Sequence, residues 1–123
     1  MEYALLLYAA PGASDDVRSP ADDGVIDSWV AYTEALKAAG VLVTAEQLRG
    51  VDTATAVRVR GGERLLTDGP FIETKEHLLG FYLLDVPDLD TALTWAGRTP
   101  LSRYGTVEVR PVIRGVPWRA TLE

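Results

Sequence analysis

The alternation of apolar and polar positions along this chain predicts six strands and two helices. Residues Tyr3 to Tyr8 form an unbroken apolar run, too short for a helix and closed by Pro11-Gly12, so they predict a strand buried on both faces. A polar loop, Ala13 to Pro20, follows. Ser19-Pro20-Ala21-Asp22 then reads as a helix start, with Ser as N-cap, Pro at the first helical position and a carboxylate where a capping box wants one. Val25, Trp29, Val30 and Leu36 recur at helical spacing as the stripe to be buried, and Gly40 supplies the stop.

Val41 to Leu48 predicts the second strand. Thr53 to Arg60 alternates small or apolar with polar residues, as a half-solvated strand does, and Gly61-Gly62 is a hairpin signal leading into Glu63 to Leu66. Leu78 to Val86 reads as another central strand. Asp88 to Gly97 is a short helix, capped by Asp85 or Asp88, with Leu89, Leu93 and Ala96 expected inward and Pro100 ending it. Tyr104 to Ile113 gives the last strand, with Val107 and Val109 on one face and Glu108 and Arg110 on the other. The order is β-α-β, an inserted hairpin, then β-α-β. Two such halves make an α+β fold of the ferredoxin-like split βαβ type, with both helices on one sheet face. Both sets of side chains on the first strand are largely apolar, so the helix-free face needs a cover. A second copy packed face to face provides one, and a homodimer is expected.

Length and composition narrow the function classes. The 123 residues are read as one domain, residues 1–123, with 114–123 as a C-terminal tail that carries Trp118 without periodicity. There are no cysteines, which removes disulfides, thiolate metal sites and Cys nucleophiles. The net charge of −6 argues against direct nucleic-acid binding and against anionic membrane surfaces. The opening Met1-Glu2-Tyr3 carries an acid where a signal peptide wants a base, and no apolar run approaches a membrane span, so a soluble cytoplasmic protein is expected. No Gly-rich phosphate loop follows a strand and no His-rich ligand spacing occurs, so neither a cofactor nor a metal is expected.

The segment Thr67-Asp68-Gly69-Pro70-Phe71-Ile72-Glu73-Thr74-Lys75-Glu76 concentrates the chemistry. Asp68 can bond the backbone two residues on, Gly69 before Pro70 is expected to be extended, and Phe71 is an apolar anchor for the turn. The tetrad Asp68-Gly69-Pro70-Phe71, continued by Glu73-Thr74-Lys75-Glu76, resembles the DGPF-domain branch of the YCII-related family. Matching flanks include the Tyr3-to-Tyr8 opening, Ala39-Gly40-Val41-Leu42, the Thr53-to-Arg60 strand and Val107-Glu108-Val109-Arg110-Pro111. The resemblance spans nearly the whole chain and implies a dimeric α+β barrel of ferredoxin-like subunits. One relative in that family is a dehydrochlorinase acting on a chlorinated hydroxyquinol, and others are assigned acid-base chemistry through a His-Asp pair. This sequence departs from them: its one histidine, His77, follows the motif, so the His-Asp mechanism does not carry over.

Two function classes follow. One is a small cofactor-independent lyase or isomerase acting on a hydroxylated aromatic-like molecule. In it, Asp68 with Glu73 or Glu46 moves a proton, and Lys75, Arg110 and Phe71 hold the substrate. The other is a non-catalytic module that senses a small ligand or binds a regulatory protein, in keeping with the association of relatives with sigma-factor regulation. Glu46 interrupts an apolar strand; if buried it must be paired, with Arg110 or Arg58 from neighbouring strands as partners, and would then be the second site candidate. Glu108 and Arg110 are read as a structural or cross-strand pair. His77 is read as a strand-entry residue. Tyr3, Tyr8, Tyr32, Phe81 and Tyr82 are core aromatics or the lining of one aromatic pocket.

Overall fold

The computed structural model describes residues 1–10, 23–70 and 75–120, with side chains from Ile26 onward in the first helix. The elements run β1 (Glu2–Ala9), α1 (Asp23–Ala38), β2 (Leu42–Gln47), β3 (Thr55–Arg60), β4 (Glu63–Asp68), β5 (His77–Asp85), α2 (Leu89–Gly97) and β6 (Thr106–Pro111). One-turn 3₁₀ segments at Val51–Thr53 and Pro100–Arg103 precede β3 and β6. The expected Ser19-Pro20 helix start lies outside the described residues, as does the side chain of Val25 in the stripe.

Four strands form an antiparallel sheet in the order β2-β5-β1-β6, and β3 and β4 pair only with each other. The parallel strands β1 and β2 flank β5, and the parallel strands β5 and β6 flank β1. This is the split βαβ arrangement predicted from the element order, with the hairpin as the insertion. Gly61 and Gly62 both have positive φ (58° and 81°), the geometry of a type I′ hairpin turn that side-chained residues resist.

β1 alternates cleanly. Tyr3, Leu5, Leu7 and Ala9 are buried against the helices, whereas Ala4, Leu6 and Tyr8 are half-buried on the other face. β5 does the same with Tyr82 and Leu84 inward and Phe81 and Leu83 outward. The expectation of burial on both faces therefore holds fully on the helix side only. Leu5, Leu36, Leu84 and Leu101 are the fully enclosed side chains at the centre.

Each helix meets the sheet differently from the predicted stripe. On α1, Tyr32 and Leu36 are buried and Trp29 is half-buried, whereas Val30 is exposed. The contact line thus runs through the aromatics rather than the β-branched residue beside them. The α1 C-terminus closes as expected at Gly40: its N–H donates to the Lys37 carbonyl (3.0 Å) and that of Val41 to Leu36 (3.2 Å), a Schellman pair. On α2, Ala92 and Ala96 face the core, and Leu89 and Leu93 are exposed. Asp88, not Asp85, is the cap, accepting from the Thr91 N–H at 2.8 Å and its hydroxyl at 2.7 Å. These two bonds hold the Asp88 carboxyl below the usual carboxylate range. That cap fixes the phase of α2, so the small residues meet the sheet and the leucines flank the contact.

Candidate functional site

A cavity of about 540 Å³ opens between the first half of α1 and one end of the sheet. Its floor comes from the end of β1 (Leu7), the end of β2 (Ala45, Gln47) and the start of β5 (Gly80, Tyr82), and its wall from Trp29. Gly80 makes this geometry attainable. A Cβ there would run into the Glu46 carbonyl, so only glycine lets β2 and β5 approach this closely at the cavity floor.

The lining is mostly apolar and carries a few fixed polar atoms. The Tyr82 phenol lies 2.8 Å from the Thr33 hydroxyl. Burial pushes the Tyr82 phenol up from its ordinary value, against the Thr33 bond, so it stays neutral and can donate across the physiological range. Trp29 stacks on Tyr82 with ring planes 10° apart and centroids at 6.2 Å. Its indole Nε1 is buried without a hydrogen-bond partner. Tyr32 sets its edge against both rings and donates to the Trp95 carbonyl at 2.9 Å. The back wall is therefore a locked aromatic block. Gln47 contributes an amide on the cavity side of β2, in register with Gly80.

The residues singled out from the sequence are dispersed. The Glu46 backbone lies at the cavity floor, but its side chain is exposed and, in register with Phe81, stands on the open sheet face, which removes the case of a buried, paired acid lining the site. It sits on the edge strand β2, and Arg110 sits on β6 at the opposite edge. Three interstrand steps of about 4.8 Å separate those strands, so an intrachain Glu46–Arg110 pair does not form. Arg58 belongs to the separate hairpin sheet. Glu108 and Arg110 share a face of β6 as expected, but no ion pair joins them among the described residues.

Asp68 ends β4 opposite Thr55 and is exposed. It cannot bond two residues on, because Pro70 has no N–H. Gly69 is not extended: its φ is +97°, and its N–H donates to the Ala54 carbonyl at 2.7 Å. Lys75 is exposed at the bend before β5. Phe71 and Glu73 lie outside the described residues. His77 is half-buried opposite Ala9, and the Glu76 carboxylate accepts from the Thr106 hydroxyl at 2.7 Å. The aromatics expected to share a pocket divide between layers. Tyr3, Tyr32 and Tyr82 lie on the helix side, Tyr8 and Phe81 on the open face, and only Tyr82 of the five lines the cavity.

Trp29 and Gln47 are the site residues that sequence reasoning missed. Trp29 was read as stripe, and Gln47 was passed over beside Glu46, although a second polar residue in that run marked the same strand end. No group of three or more metal-ligating side chains occurs among the described residues, and no helix there is long and apolar enough to cross a membrane.

The chain resembles known proteins over nearly all its length. An uncharacterised protein of Rhizobium meliloti (strain 1021) is 36% identical over 114 residues, covering 91% of this chain and 92% of that one. Among solved structures, the 5-chloro-2-hydroxyhydroquinone dehydrochlorinase TftG of Burkholderia phenoliruptrix AC1100, in complex with 2,5-dihydroxybenzoquinone, superposes with a TM-score of 0.57. That match covers 94% of this chain and 96% of that one at 14% identity, and it is a likeness of fold. The family model of the YCII-related domain matches residues 1–119. An antiparallel four-stranded sheet with two helices on one side and an inserted hairpin is thus the form taken here by a member of the YCII-related family, to which this chain belongs.

Proposed function

We propose that this chain is a cytoplasmic homodimer that binds a small, planar, hydroxylated molecule in the 540 Å³ cavity and moves a proton on it. The observation that carries the reading is the pairing of an apolar, aromatic-backed cavity with two kinds of polar group. Tyr82, bonded to Thr33, is a neutral phenol suited to a ligand oxygen, and the Gln47 amide on the same sheet face can donate or accept beside it. The apolar walls would exclude water around the ligand. Asp68 at the end of β4, Glu73 and, from the open sheet face, Glu46 are the candidate proton carriers. Lys75 and Phe71 are the candidate substrate contacts. Arg110 lies on the far edge of the sheet and would reach a ligand only from a second copy. The fold shared with a dehydrochlorinase complexed with a dihydroxybenzoquinone supports the ligand class.

The homodimer reading rests on the open sheet face. Ala4, Leu6, Tyr8, Phe81 and Leu83 form an apolar strip there, flanked by Thr44 and Glu46 on one edge and Glu108 and Arg110 on the other. An apolar centre with a polar rim is the anatomy of a protein interface.

The test is a thermal-shift titration with dihydroxybenzoquinones and hydroquinones, followed by NMR detection of ligand proton exchange in D₂O. Wild-type protein should be stabilised and should speed exchange, and Tyr82→Phe should bind less tightly. Binding without acceleration by the wild type would replace the lyase or isomerase reading with the non-catalytic ligand-sensing one. No binding at all would leave the protein-binding class, with its regulatory partner, as the function.

A further inference from the structure

Beyond β6 the described residues 112–120 form no regular element, yet they are held in place. The Val112 N–H donates to the Glu2 carbonyl at 2.9 Å, extending the β6–β1 pairing. Arg114 then bonds the Glu2 carboxylate, and Arg119 Nη2 reaches both of its oxygens at 2.6 and 2.8 Å. The Glu2 side chain is only 5% exposed beneath them. Arg114 also lies 3.6 Å from Asp85 Oδ2, whose Oδ1 takes the Met1 amino group at 2.9 Å.

Strand alternation fixes which side this network occupies. Tyr3, Leu5 and Leu7 face the helices, so Glu2 shares the opposite face with Ala4, Leu6 and Tyr8. Asp85 likewise shares a face with Leu83 and Phe81. The two arginines therefore draw residues 114–119 over the helix-free face, at one end of its apolar strip. Between them stands Trp118, 79% exposed, and just before them Ile113, 75% exposed. A tryptophan set between two fixed points is held in position before any partner arrives.

The strip needs such an addition. Four strands span about 14 Å, and Ala4 to Tyr8 covers about 13 Å, an outline of roughly 200 Å². A stable interface takes about 800 Å² per partner. A tryptophan brings about 150–250 Å², the Arg114 and Arg119 contacts with Glu2 tether its segment at that face, and the polar rim of Thr44, Glu46, Glu108 and Arg110 supplies further area.

We propose that residues 113–119 are an interface arm, clamped onto Glu2 by Arg114 and Arg119, which sets Trp118 against a second copy of this chain seated on the open sheet face. The inference rests on the homodimer reading above. Sedimentation across a dilution series tests it, with circular dichroism to confirm folding of each variant. Wild type should be dimeric and Leu6→Asp monomeric. Trp118→Ala should raise the dimer dissociation constant at least tenfold, and Arg119→Ala, which loosens the arm but keeps the indole, should raise it severalfold. A dimer disrupted by Leu6→Asp but unchanged by Trp118→Ala would overturn the arm and leave the homodimer standing. A dimer weakened by Trp118→Ala but not by Arg119→Ala would overturn the clamp. A wild-type chain that stays monomeric at every concentration would overturn the homodimer and the arm together.

Discussion

Thr33 and Tyr82 join α1 to the central strand β5 through a single 2.8 Å contact between their hydroxyls. It is a polar fastening in a largely aromatic wall, and it orients Tyr82, one of the two phenols, with Tyr104, that line the cavity. Tyr82→Phe keeps the stack on Trp29 and removes only the hydroxyl, leaving Thr33 without this partner. Stability should fall by about 1 kcal/mol, the usual worth of one such bond. Chemical denaturation checks the stability, and ligand affinity should fall more sharply than stability if the phenol serves the ligand.

Two buried phenols give the protein an alkaline weakness. Burial, reinforced by the neighbouring Tyr82, pushes the Tyr32 phenol far above its ordinary value of 10.0, with Arg98 opposing the shift. Tyr82 is raised in the same direction by burial. In the unfolded chain both ionise near pH 10, whereas in the folded chain they hold their protons. Their contribution is therefore complete below that pH and is lost as pH rises above it. The melting temperature should decline above about pH 10, and less steeply in Tyr32→Phe. An identical alkaline slope in the variant would show that Tyr32 does not carry the effect.

Gly80→Ala tests the cavity floor. The added methyl meets the Glu46 carbonyl, which belongs to backbone and cannot rotate away, so β2 must shift from β5. A loss of about 1–3 kcal/mol, as for other overpacked sites, is expected. Hydrogen exchange should accelerate in Leu42–Gln47 before the β1–β6 pairing is affected. Uniform acceleration across the sheet would point to global destabilisation instead.

The fold was legible because period and punctuation agreed. The short unbroken apolar run Tyr3–Tyr8, the Gly61-Gly62 turn and the Gly40 stop each specified a local geometry that the sheet then used. The phase of α2 was harder to read. Leu89 and Leu93 outrank alanine on any hydropathy scale, but the Asp88 cap and the close approach of helix to sheet turned Ala92 and Ala96 inward. The candidate site was only half legible. Glu46 was flagged as a polar interruption, yet its exposure depends on β2 being an edge strand, which only the strand order reveals. Trp29 looked like core because a tryptophan on an apolar stripe gives no sign of a neighbouring cavity.

β1 has one further consequence. It lies between β5 and β6, and its Leu5 pairs with Val109, close to the far end of the chain. During synthesis β1 emerges well before β6, and one of its edges waits until that distant strand is made. Such long-range closure slows folding and leaves an unpaired apolar edge open to wrong partners meanwhile. The polypeptide is thus most vulnerable to self-association while it is still on the ribosome, and a chaperone that shields nascent chains should raise its soluble yield more than one that acts after release.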